Sequence, residues 1–300
     1  MRTVRTPALE IAFEAHGPAD GPVVVLSHGF PDDVRTWDGV VPGLVAAGCW
    51  VLVPYLRGYG ATRFLDPATP RSGQQAALGK DLLDFLDALD VARAGLAGYD
   101  WGGRASCIVA ALWPERVRCL VSGSGYNIQN LAAAAQPGPA MDEFRYWYQW
   151  YFQTERGRRG LIENRRELGR LMWRLWSPNY RFSEADFAAT AASWDNPDYV
   201  EVVIQSYRHR HLAAAGDPAL AEIEALLARQ PAISVPTIAL DGAADGVREP
   251  PLVDTDRVRF TGSFYDRRTI PVAGHFLPRE APGEMVAALL ELGAARRDGP

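Results

Sequence analysis

The chain has 300 residues, of which 48% are hydrophobic and 22% are charged, a balance typical of a globular protein. This composition excludes a disordered chain, a coiled coil and a collagen-like repeat. The net charge of −5 argues against a nucleic-acid partner, because proteins that bind nucleic acid normally carry a basic excess. No apolar run reaches the roughly 18 residues of a membrane span, and residues 1–21 lack the apolar segment of a signal peptide. We therefore expect a cytoplasmic protein without a membrane partner.

Short apolar runs alternate with helical patterns along the first 126 residues. The runs predict strands at 23–26, 49–53, 94–98 and 119–122, and the helical patterns predict helices at 37–47, 76–89 and 103–113. This alternation is typical of a mostly parallel sheet with helices on both faces. The three cysteines, at positions 49, 107 and 119, lack the spacing of a metal site and are expected to be buried.

The pattern changes after Tyr126. Residues 127–229 show helical patterns rich in aromatic residues and arginine, without a strand pattern. Strand patterns return at 237–240 and 268–271, and a helical pattern follows at 283–292. We therefore predict an α/β core, residues 1–126 and 231–300, interrupted by a helical cap at 127–230. Such an insertion is expected to cover the strand ends, where open α/β sheets place their ligand sites.

A glycine-rich turn, Gly98-Tyr99-Asp100-Trp101-Gly102-Gly103, lies between a predicted strand and a predicted helix. Its spacing is that of the nucleophile elbow G-x-S-x-G, with Asp100 in the serine position. Glycine is required at positions 98 and 102 because a side chain there would collide with the neighbouring strand or helix. Taken alone, the motif is also compatible with an ordinary turn that has an aspartate N-cap.

Three further segments at predicted strand ends favour a catalytic site. His28-Gly29-Phe30-Pro31 follows the first strand, where a backbone N–H of an oxyanion hole is expected. Asp245 follows the strand at 237–240, and His275 follows the last strand. The order nucleophile, acid, histidine is that of α/β-hydrolases. Asp241 is a rival for the acid, but it lies within the strand end rather than in the loop.

The glycine-rich turn, the segment at 28–31 and Pro114-Glu115-Arg116-Val117 together resemble the epoxide hydrolase branch of the α/β-hydrolase fold, and the likeness covers nearly the whole chain. The resemblance implies a cis peptide bond between Phe30 and Pro31. It also implies the catalytic roles of nucleophile for Asp100, orienting acid for Asp245 and base for His275.

An aspartate nucleophile changes the chemistry, because a carboxylate is already ionised at pH 7 and needs no base to activate it. Asp100 would displace a leaving group at a saturated carbon and form an alkyl ester. His275 would then activate the water that hydrolyses the ester, while the backbone N–H groups of Phe30 and Trp101 hold the oxyanion. The substrate is expected to be a small molecule, either an epoxide or an alkyl halide. No phosphate loop or metal-ligand cluster is visible, so we expect no cofactor and no metal.

The helical cap favours the epoxide. An epoxide oxygen leaves as an alkoxide and needs a proton donor, which a phenol supplies. In epoxide hydrolases two cap tyrosines do this. The run Tyr148-Gln149-Trp150-Tyr151-Phe152-Gln153 and the pair Tyr207-Arg208 resemble the segments that carry them. An alternative is that these tyrosines only pack helices. The residues expected to contact the substrate are Phe30, Trp101, Tyr148, Trp150 and Tyr207.

Dehalogenases are the rival enzymes. A halide leaves as an anion and binds N–H donors such as the Trp101 indole, but haloalkane dehalogenases carry an Asn at the position of Phe30. Fluoroacetate dehalogenases share the Asp-x-Gly-Gly-Arg pattern that ends at Arg104, yet their Arg beside the nucleophile is Trp101 here. Their cap histidine is Gln149, and the segment at 122–127 lacks their orienting carboxylate.

A third hypothesis is a non-catalytic binding protein on the same scaffold. Further charged residues of the cap have two interpretations. His209 and His211 are interpreted as structural or solvent-facing. A run of arginines indicates either a solvated helix face or attraction of an anionic substrate: Arg156, Arg158, Arg159, Arg165, Arg166, Arg170 and Arg174.

Overall fold

Nine strands form one sheet in the computed structural model, which describes residues 1–296. The strands are β1 (Arg2–Arg5), β2 (Leu9–His16), β3 (Val23–Ser27), β4 (Trp50–Pro54), β5 (Arg63–Phe64), β6 (Ala94–Gly98), β7 (Val117–Gly123), β8 (Thr237–Gly242) and β9 (Tyr265–Ile270). Their order is β1-β2-β4-β3-β6-β7-β8-β9, and β5 pairs with β2. The pairs made by β2 are antiparallel, whereas all pairs from β4 to β9 are parallel. The predicted mostly parallel sheet is confirmed.

Helices cover the sheet and fill the segment between β7 and β8. They are α1 (Val41–Ala46), α2 (Gln75–Ala88), α3 (Asp100–Leu112), α4 (Ala140–Arg145), α5 (Trp147–Phe152), α6 (Glu155–Glu163), α7 (Arg165–Trp176), α8 (Glu184–Ala191), α9 (Tyr199–Arg210), α10 (Ala221–Leu227), α11 (Leu277–Glu280) and α12 (Pro282–Glu291). Within residues 1–296, no helix combines the length and the apolar character that crossing a membrane requires.

The core lies on both faces of the central parallel strands. All residues of β6 and β8 are buried, as the continuous apolar runs predict for strands covered on both sides. The three cysteines are buried and unpaired, which confirms their interpretation as small apolar residues. The carboxyl ends of these strands meet at one edge of the sheet, and the loops that follow them build the site described below.

Some elements differ from the sequence expectations for identifiable reasons. The helix predicted at 37–47 is a short 3₁₀ helix, Val34–Trp37, followed by α1, because Pro42 is tolerated only in a first helical turn. The helix predicted at 103–113 begins at Asp100, inside the elbow itself. The strand predicted at 268–271 begins three residues earlier, because β9 lies at the sheet edge and its charged residues hide the pattern.

The helices α4 to α10, here called the inserted helices, lie over the carboxyl edge of the sheet, and no strand interrupts residues 124–236. Three hydrogen bonds attach them to the loop after β3. Trp194 Nε1 donates to the carbonyl oxygen of Pro31 at 2.7 Å, and the hydroxyls of Thr190 and Ser193 donate to Asp33 at 3.0 and 2.6 Å. These contacts hold the inserted helices directly above that loop. The last four residues of the predicted core, 297–300, lie outside the described residues.

Candidate active site

The turn between β6 and α3 places Asp100 in a strained backbone conformation, with φ of +50°. A Cβ on Gly102 would lie 2.0 Å from the Ser27 carbonyl oxygen, and a Cβ on Gly98 would lie 2.4 Å from the Gly102 carbonyl carbon. Only glycine fits at these positions, so the close approach of β3, β6 and α3 is built into the motif. The carboxylate of Asp100 therefore projects from the first turn of a 13-residue helix, where the helix dipole favours negative charge.

The loop after β3 supplies a donor to this carboxylate. The backbone N–H of Phe30 donates to Asp100 Oδ1 at 2.8 Å, and the Phe30–Pro31 peptide is cis. His28 fixes the loop, because its Nδ1 bonds the Gly29 carbonyl and its Nε2 accepts from the Leu56 amide, each at 3.1 Å. Burial lowers the pKa of His28 to about 4, so the ring is neutral and can accept this bond.

The second predicted oxyanion donor, the Trp101 amide, belongs to the first turn of α3. Amides of a first turn have no carbonyl four residues earlier in the helix to bond. The Trp101 ring is stacked on Phe30 at 5.6 Å between centroids. This packing holds the two predicted donor residues side by side under the inserted helices.

His275 lies between two carboxylates. Its Nδ1 is 2.9 Å from Asp245 Oδ2, and Asp245 Oδ1 accepts from the amides of Val247 and Arg248 at 2.7 and 3.2 Å. His275 Nε2 is buried without a hydrogen-bond partner and lies 4.0 Å from Asp100 Oδ2. Burial lowers the pKa of His275, but the negative charges of Asp245 and Asp100 outweigh it and raise the pKa overall. The hydrogen bond to Asp245 favours the tautomer whose Nε2 lone pair faces Asp100.

Asp241, the rival acid, is engaged elsewhere. Both its oxygens accept from Arg267, at 2.7 Å from Nε and 3.0 Å from Nη2. It is buried in this ion pair, and Asp245 is the acid that contacts His275. The geometry therefore favours Asp245 over Asp241 as the orienting acid.

Two phenols of the inserted helices pack against Phe30, the residue whose amide donates to Asp100. Tyr148 on α5 and Tyr207 on α9 are each 2% exposed, and their rings are perpendicular at 5.3 Å between centroids. Phe30 lies against both, at 6.2 Å from Tyr148 and 5.4 Å from Tyr207. The Tyr207 hydroxyl is buried without a hydrogen-bond partner. Burial, together with the negative charge of Asp100, raises the pKa of both phenols, so both keep their protons.

Gln149 orients the Tyr148 hydroxyl. Gln149 Nε2 donates to the Tyr148 oxygen at 3.0 Å, and Gln149 Oε1 lies 2.9 Å from His211 Nε2. Burial and the charge of Arg210 lower the pKa of His211 to about 4, so this ring is neutral and donates from Nε2. The Tyr148 oxygen thus accepts a bond from its neighbour, which leaves its proton available to a substrate.

A cavity of about 80 Å³ lies beside Asp100. Of the predicted residues, Asp100, Tyr148 and His275 line it, while Phe30, Trp101 and Tyr207 pack behind them. Sequence reasoning did not assign the remaining residues of its wall to the substrate site. They are Arg104, Ser124, Asn127, Tyr146, Gln149, Arg210, Val247 and Arg248. Only Arg104 has a sequence signal, because it lies four residues after Asp100 on one helix and so shares its face.

Trp150 does not line this cavity. Its side chain is 40% exposed, its ring lies 4.3 Å from that of His211, and its Nε1 donates to the Glu143 carbonyl oxygen at 3.3 Å. Trp150 lines a neighbouring depression, which shares Tyr146, Gln149 and Arg210 with the cavity. The geometry gives no support to its predicted role in substrate binding.

The arginine run of the inserted helices is largely paired with carboxylates, as expected of a solvated helix face. Four ion pairs are Arg158–Glu201, Arg159–Glu163, Arg166–Asp195 and Arg170–Glu184. Residues 1–296 contain no group of three His, Cys, Asp or Glu side chains arranged to hold a metal ion.

Comparisons with known proteins agree with this geometry. A model of the alpha/beta hydrolase fold family matches residues 22–246. Epoxide hydrolase A of Mycobacterium tuberculosis (strain ATCC 25618 / H37Rv) is 27% identical, over 97% of this chain and 96% of its own length. Bifunctional epoxide hydrolase 2 of Sus scrofa is 33% identical over 49% of this chain. The match spans only 26% of that longer protein.

One of the solved structures that match over almost their full length also has high sequence identity. It is a candidate epoxide hydrolase from Klebsiella pneumoniae subsp. pneumoniae MGH 78578, which is 43% identical to this chain with a TM-score of 0.95. The superposition covers 97% of this chain and 96% of that one. The fold, the nucleophile elbow and these matches together show that the chain belongs to the epoxide hydrolase family of the α/β-hydrolase fold.

Proposed function

We propose that this enzyme opens a small epoxide to a vicinal diol through a covalent ester on Asp100. The observation that carries the proposal is the pair of buried, protonated phenols, Tyr148 and Tyr207, packed against Phe30 beside a carboxylate nucleophile. The inserted helices act as the cap, because they bring both phenols over the carboxyl edge of the sheet. The division into a core and a cap at residues 127–230 is part of this proposal.

In the first step, Asp100 attacks a ring carbon of the epoxide. Asp100 Oδ1 is engaged by the Phe30 amide, which leaves Oδ2 as the nucleophilic oxygen. As the new carbon–Oδ2 bond forms, the ring carbon–oxygen bond breaks, and the leaving oxygen takes a proton from Tyr148 or Tyr207. A phenol suits this role because it stays protonated until the alkoxide develops.

In the second step, water hydrolyses the ester. His275 Nε2 faces Asp100 across 4.0 Å and takes a proton from the water that attacks the Asp100 carboxyl carbon. The negative charge develops on Oδ1, where the Phe30 and Trp101 amides stabilise it. The bond to Oδ2 then breaks, and the diol leaves with that oxygen. Of the two water protons, one goes to the departing oxygen and the other restores the tyrosine.

Formation of the ester prepares His275 for its role. The charge of Asp100 is one of the causes that raise the pKa of His275 in the free enzyme. Alkylation removes that charge, so the pKa of His275 falls at the stage when a neutral base is needed.

The test compares an epoxide with a halide. The wild-type enzyme is expected to convert propylene oxide to its diol and to release no halide from a short haloalkane. Tyr148→Phe and Tyr207→Phe should each slow single-turnover alkylation about 100-fold, by analogy with the loss of one oxyanion-hole donor. The double variant should lose more than either single variant, because one donor partly replaces the other.

Tyr151→Phe is the matched control, since Tyr151 lies on the same helix as Tyr148 but lines a different depression, with Glu155 and Arg159. It should alkylate at the wild-type rate. Retained epoxide opening in the double variant would refute the role of the phenols. Rapid halide release without epoxide turnover would make the enzyme a dehalogenase.

A further inference from the structure

Arg104 is a buried cation that faces the cavity without a partner. Its residue is 6% exposed, its Nε has no hydrogen-bond partner, and no carboxylate of residues 1–296 forms an ion pair with it. Burial and the nearby charge of Arg210 lower its pKa, and the negative charge of Asp100 only partly offsets them. A buried guanidinium that forms no hydrogen-bonded ion pair is costly, so its retention beside an open cavity indicates that an anion binds there.

Two more arginines line the same cavity. Arg210 has no ion-pair partner within residues 1–296, and its guanidinium carbon lies 5.7 Å from the ring centroid of Tyr146. Arg248 donates to the Ser124 carbonyl oxygen at 3.2 Å and lies 3.6 Å from Asp256. Three arginines thus line the cavity that holds the Asp100 carboxylate, in a chain whose net charge is −5. The cavity therefore carries an excess of positive charge, although the chain as a whole is negative.

We propose that the substrate is a small epoxide bearing a carboxylate, which Arg104 binds with help from Arg210; this inference rests on the proposed epoxide hydrolysis. The planar guanidinium fork matches a carboxylate with two parallel hydrogen bonds. The arginines also offset the repulsion that the Asp100 carboxylate exerts on an anionic substrate. A cavity of about 80 Å³ selects epoxides of few carbons, of which glycidate is the simplest acid.

A binding experiment tests the anion site without any turnover. Propanoate and its neutral counterpart propanamide are titrated calorimetrically into the wild type and into Arg104→Met. Propanoate should bind the wild type and lose about 100-fold in affinity in the variant, as expected when one partner of a desolvated charge pair is removed. Propanamide should bind the two proteins equally. Equal propanoate affinity in both proteins would overturn the proposal.

The variant itself is expected to fold well, because methionine fills similar space and removes an unpaired buried charge. Its melting temperature without ligand should equal or exceed that of the wild type. Arg159→Met is the matched control, since Arg159 is 74% exposed and pairs with Glu163 on the surface. The control should bind propanoate like the wild type. Loss of propanoate binding in the control as well would also contradict the proposal.

Turnover of glycidate and glycidamide then tests specificity. The wild type should prefer glycidate in kcat/KM, and Arg104→Met should lower the ratio of the two kcat/KM values about 100-fold. A role of Arg104 in supporting Asp100 alone would lower both values and leave their ratio unchanged, which would overturn the proposal. Turnover of propylene oxide and glycidamide with rejection of glycidate would refute the carboxylate substrate but keep the proposed function. No turnover of any epoxide would refute the proposed function, while propanoate binding would still report on the anion site.

Discussion

The two oxygens of Asp100 have different surroundings, and this difference assigns their roles. Oδ1 accepts from the Phe30 amide at 2.8 Å, while Oδ2 faces His275 Nε2 across 4.0 Å. One oxygen is thus placed for the developing oxyanion and the other for attack on substrate. The glycine spacing could predict the elbow, but the partner of each oxygen could not be predicted from the sequence, since it depends on the loop after β3.

Replacing the base should separate the two chemical steps. His275→Gln leaves Asp100 and both phenols in place, so alkylation should proceed, while ester hydrolysis should slow roughly 10²- to 10⁴-fold with the loss of general-base catalysis. Intact-protein mass spectrometry after mixing with epoxide should show a stable adduct of substrate mass. Unchanged steady-state turnover in this variant would remove His275 from the mechanism.

The charge of Asp245 should set the pH dependence of ester hydrolysis. Its negative charge raises the pKa of His275, and hydrolysis requires the neutral ring, so the rate falls as pH drops through that pKa. Asp245→Asn removes the charge, and the acid limb of the single-turnover hydrolysis profile should move to lower pH. A limb that stays in place, or moves to higher pH, would show that Asp245 does not control the titration of His275.

At the scale of elements, the elbow depends on the absence of side chains where β3, β6 and α3 meet. Gly102→Ala would place a Cβ 2.0 Å from the backbone oxygen of Ser27, which cannot rotate away. Overpacking of this kind should lower the free energy of unfolding by about 3 kcal/mol and shift Phe30 away from Asp100. Urea unfolding measures the first effect and epoxide turnover the second.

Gly283→Ala is the control for that substitution. Gly283 lies in the first turn of α12, and a Cβ there would meet nothing within 4 Å. Alanine should therefore be neutral or stabilise by up to about 1 kcal/mol, because glycine is a poor helix former. Similar losses in both variants would indicate that the elbow has no special steric requirement.

Elements with strong local patterns could be predicted, and elements defined by their surroundings could not. The buried strands β3, β6 and β8 have continuous apolar runs and fall within two residues of their predicted bounds. The sheet edge formed by β1 and β2 was not predicted, although Leu9, Ile11 and Phe13 stand at alternate positions and are buried. The cavity wall was the hardest part to predict from the sequence, because Arg210 and Arg248 approach Asp100 only through tertiary packing.

At the scale of the whole molecule, a buried polar junction joins the core to the inserted helices. Arg279 on α11 pairs with both oxygens of Asp32, at 2.6 and 2.7 Å, and also donates to Thr190 on α8. Asp33 accepts from Thr190 and from Ser193. Burial, with the adjacent charge of Asp32, raises the pKa of Asp33 to about 7.

This junction should make stability depend on pH. Between about pH 4 and pH 7 Asp33 is protonated in the folded chain and ionised in the unfolded chain, so the folded state loses stability as pH rises through that window. The full effect is on the order of 4 kcal/mol. Asp33→Asn removes the titration, so its stability relative to the wild type should increase from about pH 5 to about pH 8 in urea unfolding. Parallel curves for the two proteins would contradict the assignment.

The covalent ester on Asp100 is the central claim, and isotope labelling tests it most directly. The enzyme, in excess over a simple epoxide, completes one turnover in heavy-oxygen water, and the peptide containing Asp100 is then analysed by mass spectrometry. Because water attacks the carboxyl carbon of the ester, the label should appear in the Asp100 side chain, while the diol carries an unlabelled oxygen from the enzyme. Label found only in the diol after this first turnover would show direct attack of water on the epoxide and would contradict the account.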